Sequence, residues 1–133
     1  VYQAGTLSGN PLAVAAGKCL ITELIRTNPY DELEANANYL LTNIKNEMLK
    51  KGVPFSFNQI GGMFGFFFTA EFPNNFDDVS ASNDKDFESF FKDCLDQGIY
   101  FAPSKYEAGF ISTKHTKKIL DGVINKVREI YGT

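Results

Sequence analysis

Residue types that often carry metal or redox chemistry are scarce in this chain of 133 residues. There is no tryptophan, one histidine and only two cysteines, Cys19 and Cys94, which lie far apart on stretches with helical periodicity. Both cysteines fall in apolar stripes, so we expect buried free thiols rather than a disulfide or a metal-binding pair. The single histidine, His115, has neither a cysteine nor a paired carboxylate at ligand spacing, and we expect no metal site.

The chain also lacks an excess of positive charge and any long apolar run. Thirteen basic and sixteen acidic residues give a net charge of −3 and an isoelectric point near 5.1, which favours neither nucleic acid nor a membrane as a partner. Since no membrane-spanning run or signal-peptide pattern is present, a cytoplasmic protein is the default expectation. The length of 133 residues predicts one globular domain, and the abundant phenylalanine, 13 residues, predicts a core built on one kind of aromatic side chain.

Apolar periodicity predicts four helices. The first covers 11–26, where Asn10 offers an N-cap side chain and Pro11 suits the first helical position. Its apolar stripe is narrower than that of the next helix, so we expect it to dock outside this domain. The other predicted helices begin at residue 30 and end before Gly52, span 85–96, and span 116–131.

Period-two patterns predict the strands. Two of them, 53–60 and 63–69, flank a Gly-Gly hairpin signal, and we expect both faces of the strand at 63–69 to be covered. Residues 70–85 are polar and predict a surface loop, and shorter strands are expected at 99–102 and 110–112. The resulting order, α, α, β, β, α, β, β, α, favours an α+β fold in which helices pack on an antiparallel sheet.

The opening segment VYQAGTLSGNP, residues 1–11, has the pattern of an interior junction rather than a chain start. A β-prone triplet leads into a loop of small residues and then into a capped helix. Such a loop can direct N–H groups and hydroxyls at an anion, with the helix dipole adding to the attraction. The residues alone favour the simpler interpretation, a capped strand-to-helix turn.

A further unusual segment is APSKYEAGFIS, residues 102–112, in which Glu107 is the only acidic residue. A loop held between strands is a suitable platform for a positioned carboxylate. An unpaired loop glutamate is nevertheless most often a solvated surface charge, and taken alone the residues favour that interpretation.

Three separated segments together resemble a known family: VYQAGTLSGNPLAVAAG at 1–17, IGGMFGFFFT at 60–69 and GIYFAPSKYEAGFIS at 98–112, followed by His115. They are similar to the C-terminal portion of the glutamate-1-semialdehyde 2,1-aminomutases, which belong to the class III aminotransferase group of fold-type I pyridoxal-phosphate enzymes. The resemblance covers essentially the whole chain. Its most particular motif is APS-x-[FY]-EAGF, in which this chain has Tyr106 where Phe is more usual.

The resemblance implies a small C-terminal domain at 29–133, preceded at 1–28 by a junction loop and a connecting helix from a large domain. It implies a homodimeric, pyridoxal-phosphate-dependent enzyme that converts glutamate-1-semialdehyde to 5-aminolevulinate in tetrapyrrole biosynthesis. The Schiff-base lysine of such enzymes lies in the large domain. On this basis the chain alone is expected to be inactive and not to retain the cofactor.

The resemblance also assigns roles to individual residues. Gly5 and Thr6 correspond to a loop that binds the cofactor phosphate, usually that of the partner subunit, and Tyr2 corresponds to a residue near that site. Glu107 corresponds to an acidic residue that faces the substrate. Two alternatives stay open: another class III aminotransferase with an external amino donor, and a stand-alone α+β binding or dimerisation module.

Overall fold

The computed structural model describes residues 4–131 of the chain. Within that range the element order is α, α, β, β, α, α, β, α. The helices are α1 (Pro11–Thr27), α2 (Tyr30–Lys50), α3 (Phe76–Ala81), α4 (Asp84–Asp96) and α5 (Lys117–Tyr131), and the strands are β1 (Ser56–Ile60), β2 (Met63–Phe67) and β3 (Gly109–Phe110). The predicted α+β class is confirmed.

Helix α1 begins and ends on the signals that the sequence predicts. The Asn10 side chain accepts hydrogen bonds from the N–H groups of Leu12 and Ala13, at 3.0 and 3.2 Å. At the other end Asn28 adopts the left-handed conformation, with φ of 40°, and donates its N–H to the Leu24 carbonyl. None of the residues of α1 is buried, and Leu24 is its only apolar side chain that is half-buried in the described part of the chain.

The sheet is antiparallel, in the order β1-β2-β3. Gly61, with φ of 56°, supplies the positive dihedral that the tight β1–β2 turn requires, and Ile60 pairs with Met63 across it. The strand β1 begins at residue 56 and β2 ends at residue 67, so both are shorter than the predicted 53–60 and 63–69. The predicted hairpin is confirmed.

A phenylalanine cluster lies between the sheet and the helices. Phe66 on β2 stacks on Phe55 at 5.3 Å between ring centroids and meets Phe90 of α4 edge-on at 5.4 Å. Helices α2 and α5 complete the core with aliphatic side chains: Leu40, Leu41, Ile44, Leu120, Ile124 and Val127. Pairs of aromatic rings at these distances stabilise the fold by more than the burial of their apolar area alone.

Three local predictions differ from the structure. Residues 70–85 are not all loop, because the Asn75 side chain caps α3 by accepting from the N–H of Asp78 at 3.0 Å. Residues 99–102 form no strand, because the N–H of Ile99 is donated to the Cys94 carbonyl at the end of α4. The last predicted strand, 110–112, is instead the two-residue β3.

Burial departs from prediction where a partner is missing among the described residues. Cys94 is a buried free thiol as expected, and burial raises its pKa to about 12. Cys19 is free but exposed, because it lies on α1. One face of β2 is only partly covered, since Met63 is 41% exposed. Leu95 of α4 and Ile119 of α5, which helical spacing predicts to point inward, are also exposed.

Candidate functional site

The opening loop, residues 4–10, forms a tight turn ahead of α1. The N–H of Ser8 is donated to the Gly5 carbonyl at 2.9 Å, and that of Asn10 to the Leu7 carbonyl at 3.0 Å. A methyl group on the α-carbon of Gly5 would lie only 2.7 Å from the Ser8 hydroxyl oxygen. Every residue of the loop is exposed, so its polar groups can reach a ligand from solvent.

The chemistry of this loop suits an anion. It carries the hydroxyls of Thr6 and Ser8 and no acidic side chain, and it lies at the N-terminal end of a 17-residue helix. Among residues 4–131 the structure gives no hydrogen bond from the N–H of Thr6 or Leu7. Hydroxyl and amide donors at a helix N-terminus are the groups that hold a phosphate. Tyr2 lies outside the described residues.

The other predicted segment, here called the Glu107 loop (residues 102–108), is held in a turn centred on Ser104. The N–H of Tyr106 is donated to the Ser104 hydroxyl at 3.2 Å, and the N–H of Glu107 to the Ser104 carbonyl at 3.1 Å. The turn leaves the Glu107 side chain exposed. It can therefore accept hydrogen bonds from a ligand while its backbone is held in place.

Lys105 is the residue of this loop that sequence reasoning missed. Its side chain is only 5% exposed, and its ammonium lies 3.1 Å from the carbonyl oxygens of Ser80 and Ser82 and 2.6 Å from Asp84 Oδ1. A lysine in a polar loop is ordinarily solvated, and these oxygens lie more than twenty residues away in sequence, so no local signal indicates the contact. The lysine ties the loop to the α3–α4 junction.

The C-terminal end of the loop is fixed by a close approach. The ring of Phe64 lies against Gly109, so that a methyl group at residue 109 would overlap the ring. Gly109 also pairs with Phe64 in the β2–β3 register. A glycine at residue 109 therefore lets β3 pack directly on β2.

Glu107 lines an open groove of about 420 Å³ between the β1–β2 hairpin, α3 and the Glu107 loop. Its walls are mostly apolar and include Phe67, Phe72 and Phe76, while Lys105 and Tyr106 line it from the Glu107 loop. Glu107 also lines a small cavity of about 20 Å³ against Phe66 and Phe87. Gly5 and Thr6 line neither, so the structure does not bring the two predicted loops together in one site.

His115 lies in a separate apolar cavity of about 240 Å³ between β3 and α5. Its Nδ1 accepts the N–H of Ser112 at 2.9 Å, which leaves Nε2 to carry the proton of the neutral ring. In the described range, 4–131, no three His, Cys, Asp or Glu side chains are grouped so that they could hold a metal ion. No helix in that range is long and apolar enough to cross a membrane.

No protein-family model matches the chain. Individual proteins do, among them proteins named glutamate-1-semialdehyde 2,1-aminomutase. The chain is 44% identical to that of Psychrobacter cryohalolentis over 98% of its own length and 31% of the relative's. It is 45% identical to that of Akkermansia muciniphila over 96% and 30%, and 42% identical to that of Laribacter hongkongensis over 98% and 31%.

The two kinds of coverage in these comparisons differ by a factor of about three. Nearly all of this chain is matched, yet it spans only about 30% of the length of the relatives that it matches. The similarity thus extends through both loops described above and through the whole sheet and its helices. By sequence, these 133 residues are similar to a segment of about 30% of the length of proteins named glutamate-1-semialdehyde 2,1-aminomutase.

Proposed function

We propose that this chain is the C-terminal part of a pyridoxal-phosphate-dependent aminomutase that converts glutamate-1-semialdehyde to 5-aminolevulinate for tetrapyrrole biosynthesis. The observation that carries the proposal is identity of 42–45% along 96–98% of the chain to proteins with that name. In this proposal, residues 1–28 join the large domain to a small domain at 29–133, and the complete enzyme is a cytoplasmic homodimer.

The opening loop would hold the phosphate of the cofactor. Its turn brings the hydroxyl of Ser8 close to Gly5, and the hydroxyl of Thr6 is exposed beside it, with no acidic group to repel a dianion. Donor groups of this kind form short, charge-assisted hydrogen bonds to phosphate oxygens. The loop fits only the phosphate, and in the family the loop of one subunit usually serves the cofactor of the other. When bound, the cofactor supplies the carrier for the migrating amino group.

Glu107 would act on the substrate side. Its carboxylate is exposed at an apolar groove, where an ammonium group is less well hydrated than in open water. There the carboxylate can accept hydrogen bonds from the amino groups of the substrate and orient them. In the proposed reaction Glu107 holds and orients amino groups; the large domain supplies the Schiff-base lysine.

The isolated chain would not catalyse the reaction. Lys18 lies on α1 and Lys45 on α2, with Lys50 and Lys51 at the end of α2, and none of them is in the motif that surrounds the Schiff-base lysine of this group. We expect no conversion of glutamate-1-semialdehyde by residues 1–133 alone. When the chain is mixed with pyridoxal phosphate, we also expect only the absorbance of nonspecific adducts with surface lysines.

The decisive test uses the complete open reading frame that contains this sequence. The purified product is given glutamate-1-semialdehyde, and 5-aminolevulinate is measured with and without an added amino donor. An aminomutase needs no external donor, because the amino group that leaves one carbon is returned to its neighbour. Strict dependence on a donor would instead establish the alternative, another class III aminotransferase.

The coding sequence upstream tests the remaining alternative, a stand-alone α+β binding or dimerisation module. An open reading frame that continues upstream through a lysine-bearing large domain would reject the module. A stop codon followed by an initiation codon close to residue 1 would reject the enzyme fragment.

A further inference from the structure

A buried lysine lies two residues before Glu107, and the reaction proposed above gives it no task. The Lys105 ammonium donates to the carbonyl oxygens of Ser80 and Ser82, both at 3.1 Å, and forms an ion pair with Asp84 at 2.6 Å. Three oxygen partners match the three donors of an ammonium group. The charge is therefore satisfied although the side chain is 5% exposed.

The partners of Lys105 come from two helices and not from the loop itself. Ser80 belongs to α3, Ser82 is its C-terminal cap residue, and Asp84 is the first residue of α4. A cation at the C-terminal carbonyls of a helix is also favoured by the helix dipole, although α3 is only six residues long. Lys105 thus fastens the loop to the point where two helices meet.

Another anchor follows four residues later. The ring of Phe64 packs against Gly109, which fixes the loop on the sheet. Only residues 106–108 lie between the two anchors, and Tyr106 stacks on Phe76 with 5.7 Å between ring centroids. A segment of three residues held at both ends has few backbone conformations available to it.

We propose that Lys105 is a positioning residue, which fixes the carboxylate of Glu107 at the groove by clamping the loop to the α3–α4 junction. The inference rests on the proposed function, because it needs Glu107 to act on the substrate. A displacement of about 1 Å at a reacting group can lower a rate by as much as about 100-fold. Loss of the clamp should therefore lower turnover more than it lowers substrate affinity.

The test uses the complete enzyme and compares Lys105→Met with Lys92→Met, which removes a lysine of α4 that makes no such contact with the loop. Lys105→Met should lower kcat about 10-fold with KM changed less than about twofold, whereas Lys92→Met should leave both unchanged. Asp84→Asn keeps the lysine and weakens one of its three contacts, so it should give a smaller loss of kcat in a fully folded enzyme. Asp84→Asn replaces Lys105→Met in the test if the latter variant does not fold.

Non-additivity separates positioning from plain stabilisation. If Lys105 acts through Glu107, then Lys105→Met should cost little further activity in a Glu107→Gln background, because the carboxylate that it positions is already absent. Equal losses of kcat in the two backgrounds would overturn the proposal. Wild-type turnover in Glu107→Gln would overturn it too.

A separate readout needs neither activity nor cofactor. Amide hydrogen exchange of residues 104–108 should be faster in Lys105→Met than in the wild type, while exchange in α2 and α5 should not change. Unchanged exchange in 104–108 would overturn the clamp. Failure of the proposed function is recognised separately, because it shows as a wild-type enzyme that makes no 5-aminolevulinate.

Discussion

The two loops that resemble functional segments of the family are held in opposite ways. The Glu107 loop is fixed by its own chain: a buried ammonium binds three oxygens at one end, and Gly109 packs under a phenylalanine ring at the other. The opening loop is exposed at every described residue and leads into a helix with no buried side chain. One loop is therefore anchored at both ends within this chain, whereas the described residues supply no buried anchor to the other.

The difference extends to the elements that carry the loops. Helices α2, α4 and α5 enclose the phenylalanine cluster, and α2 is joined to α5 by the buried Glu47, which accepts from Arg128 at 3.0 Å. Helix α1 instead exposes large apolar side chains such as Leu20, Ile21 and Ile25. Because apolar area removed from water contributes about 25 cal/mol per Å², most of the folding free energy of the described residues arises beyond α1.

The largest expected contrast compares two identical truncations. Leu41→Ala in α2 removes a side chain that is 0% exposed and should lower the free energy of unfolding of the chain by about 2–5 kcal/mol. Leu20→Ala in α1, where the leucine is 62% exposed, should change it by less than about 0.5 kcal/mol. Urea unfolding followed by circular dichroism measures both. Similar losses would mean that α1 is packed in the free chain and that the comparison is wrong.

A smaller contrast is expected between the two loop glycines. Gly109→Ala forces a methyl group into the ring of Phe64 and should cost about 1–3 kcal/mol, because a packed core must shift to admit it. Gly5→Ala meets only the Ser8 hydroxyl, which can rotate away, so the free energy of unfolding should change by less than about 0.5 kcal/mol. The same unfolding experiment decides, and an unaffected Gly109→Ala would show that the Glu107 loop is not held at β3.

Sequence reasoning was reliable for features with local causes. The start of α1 follows from the cap residue Asn10, and the hairpin follows from Gly61 and Gly62. It failed for features set by distant contacts. The pattern of Cys19 is that of a buried residue, but no residue of its helix is buried in the described part of the chain.

The same limit applies to the candidate site. The motif around Glu107 is readable from the sequence, but its anchor is not, since Lys105 bonds to carbonyl oxygens that any residue types could supply. The helix α3 was also missed, because a six-residue helix has too few apolar positions to show a period. Local chemistry thus predicts which segments carry function, and long-range packing determines how firmly each one is held.

The third prediction compares two glutamates whose pKa values are lowered. A hydrogen bond from Lys50, with a further one from Arg128, lowers the pKa of Glu47 below its ordinary value of 4.5, and Arg26 does the same for Glu23 on α1. A lowered pKa stabilises the fold above the unfolded-state pKa, and that contribution is lost as the pH falls through the folded-state pKa. The stability that the Glu47 pair contributes should therefore decline as the pH falls below about 4.5.

Only one of these glutamates joins two elements of the fold. Glu47→Gln should lower the free energy of unfolding at pH 7 by about 1 kcal/mol and flatten its decline in acid, because Lys50 and Arg128 lose a charged partner. Glu23→Gln removes an exposed pair within α1 and should leave the acid limb of the wild type in place. Unfolding measured at pH values of about 7, 5 and 3 tests this, and coincident profiles for the two variants would contradict it.

The smallest effect on folding is expected at the opening loop, where the effect on the cofactor should be clear. Thr6→Val removes one exposed hydroxyl and should change the free energy of unfolding by less than about 0.5 kcal/mol. In the complete enzyme it should weaken pyridoxal-phosphate binding about tenfold, the loss of one charge-assisted hydrogen bond. Thr22→Val is the matched control, because its hydroxyl is already donated to the Lys18 carbonyl at 2.7 Å. Equal dissociation constants for the two variants by equilibrium dialysis would remove Thr6 from the phosphate site, and the exposure of the opening loop would then need another explanation than an incomplete binding site.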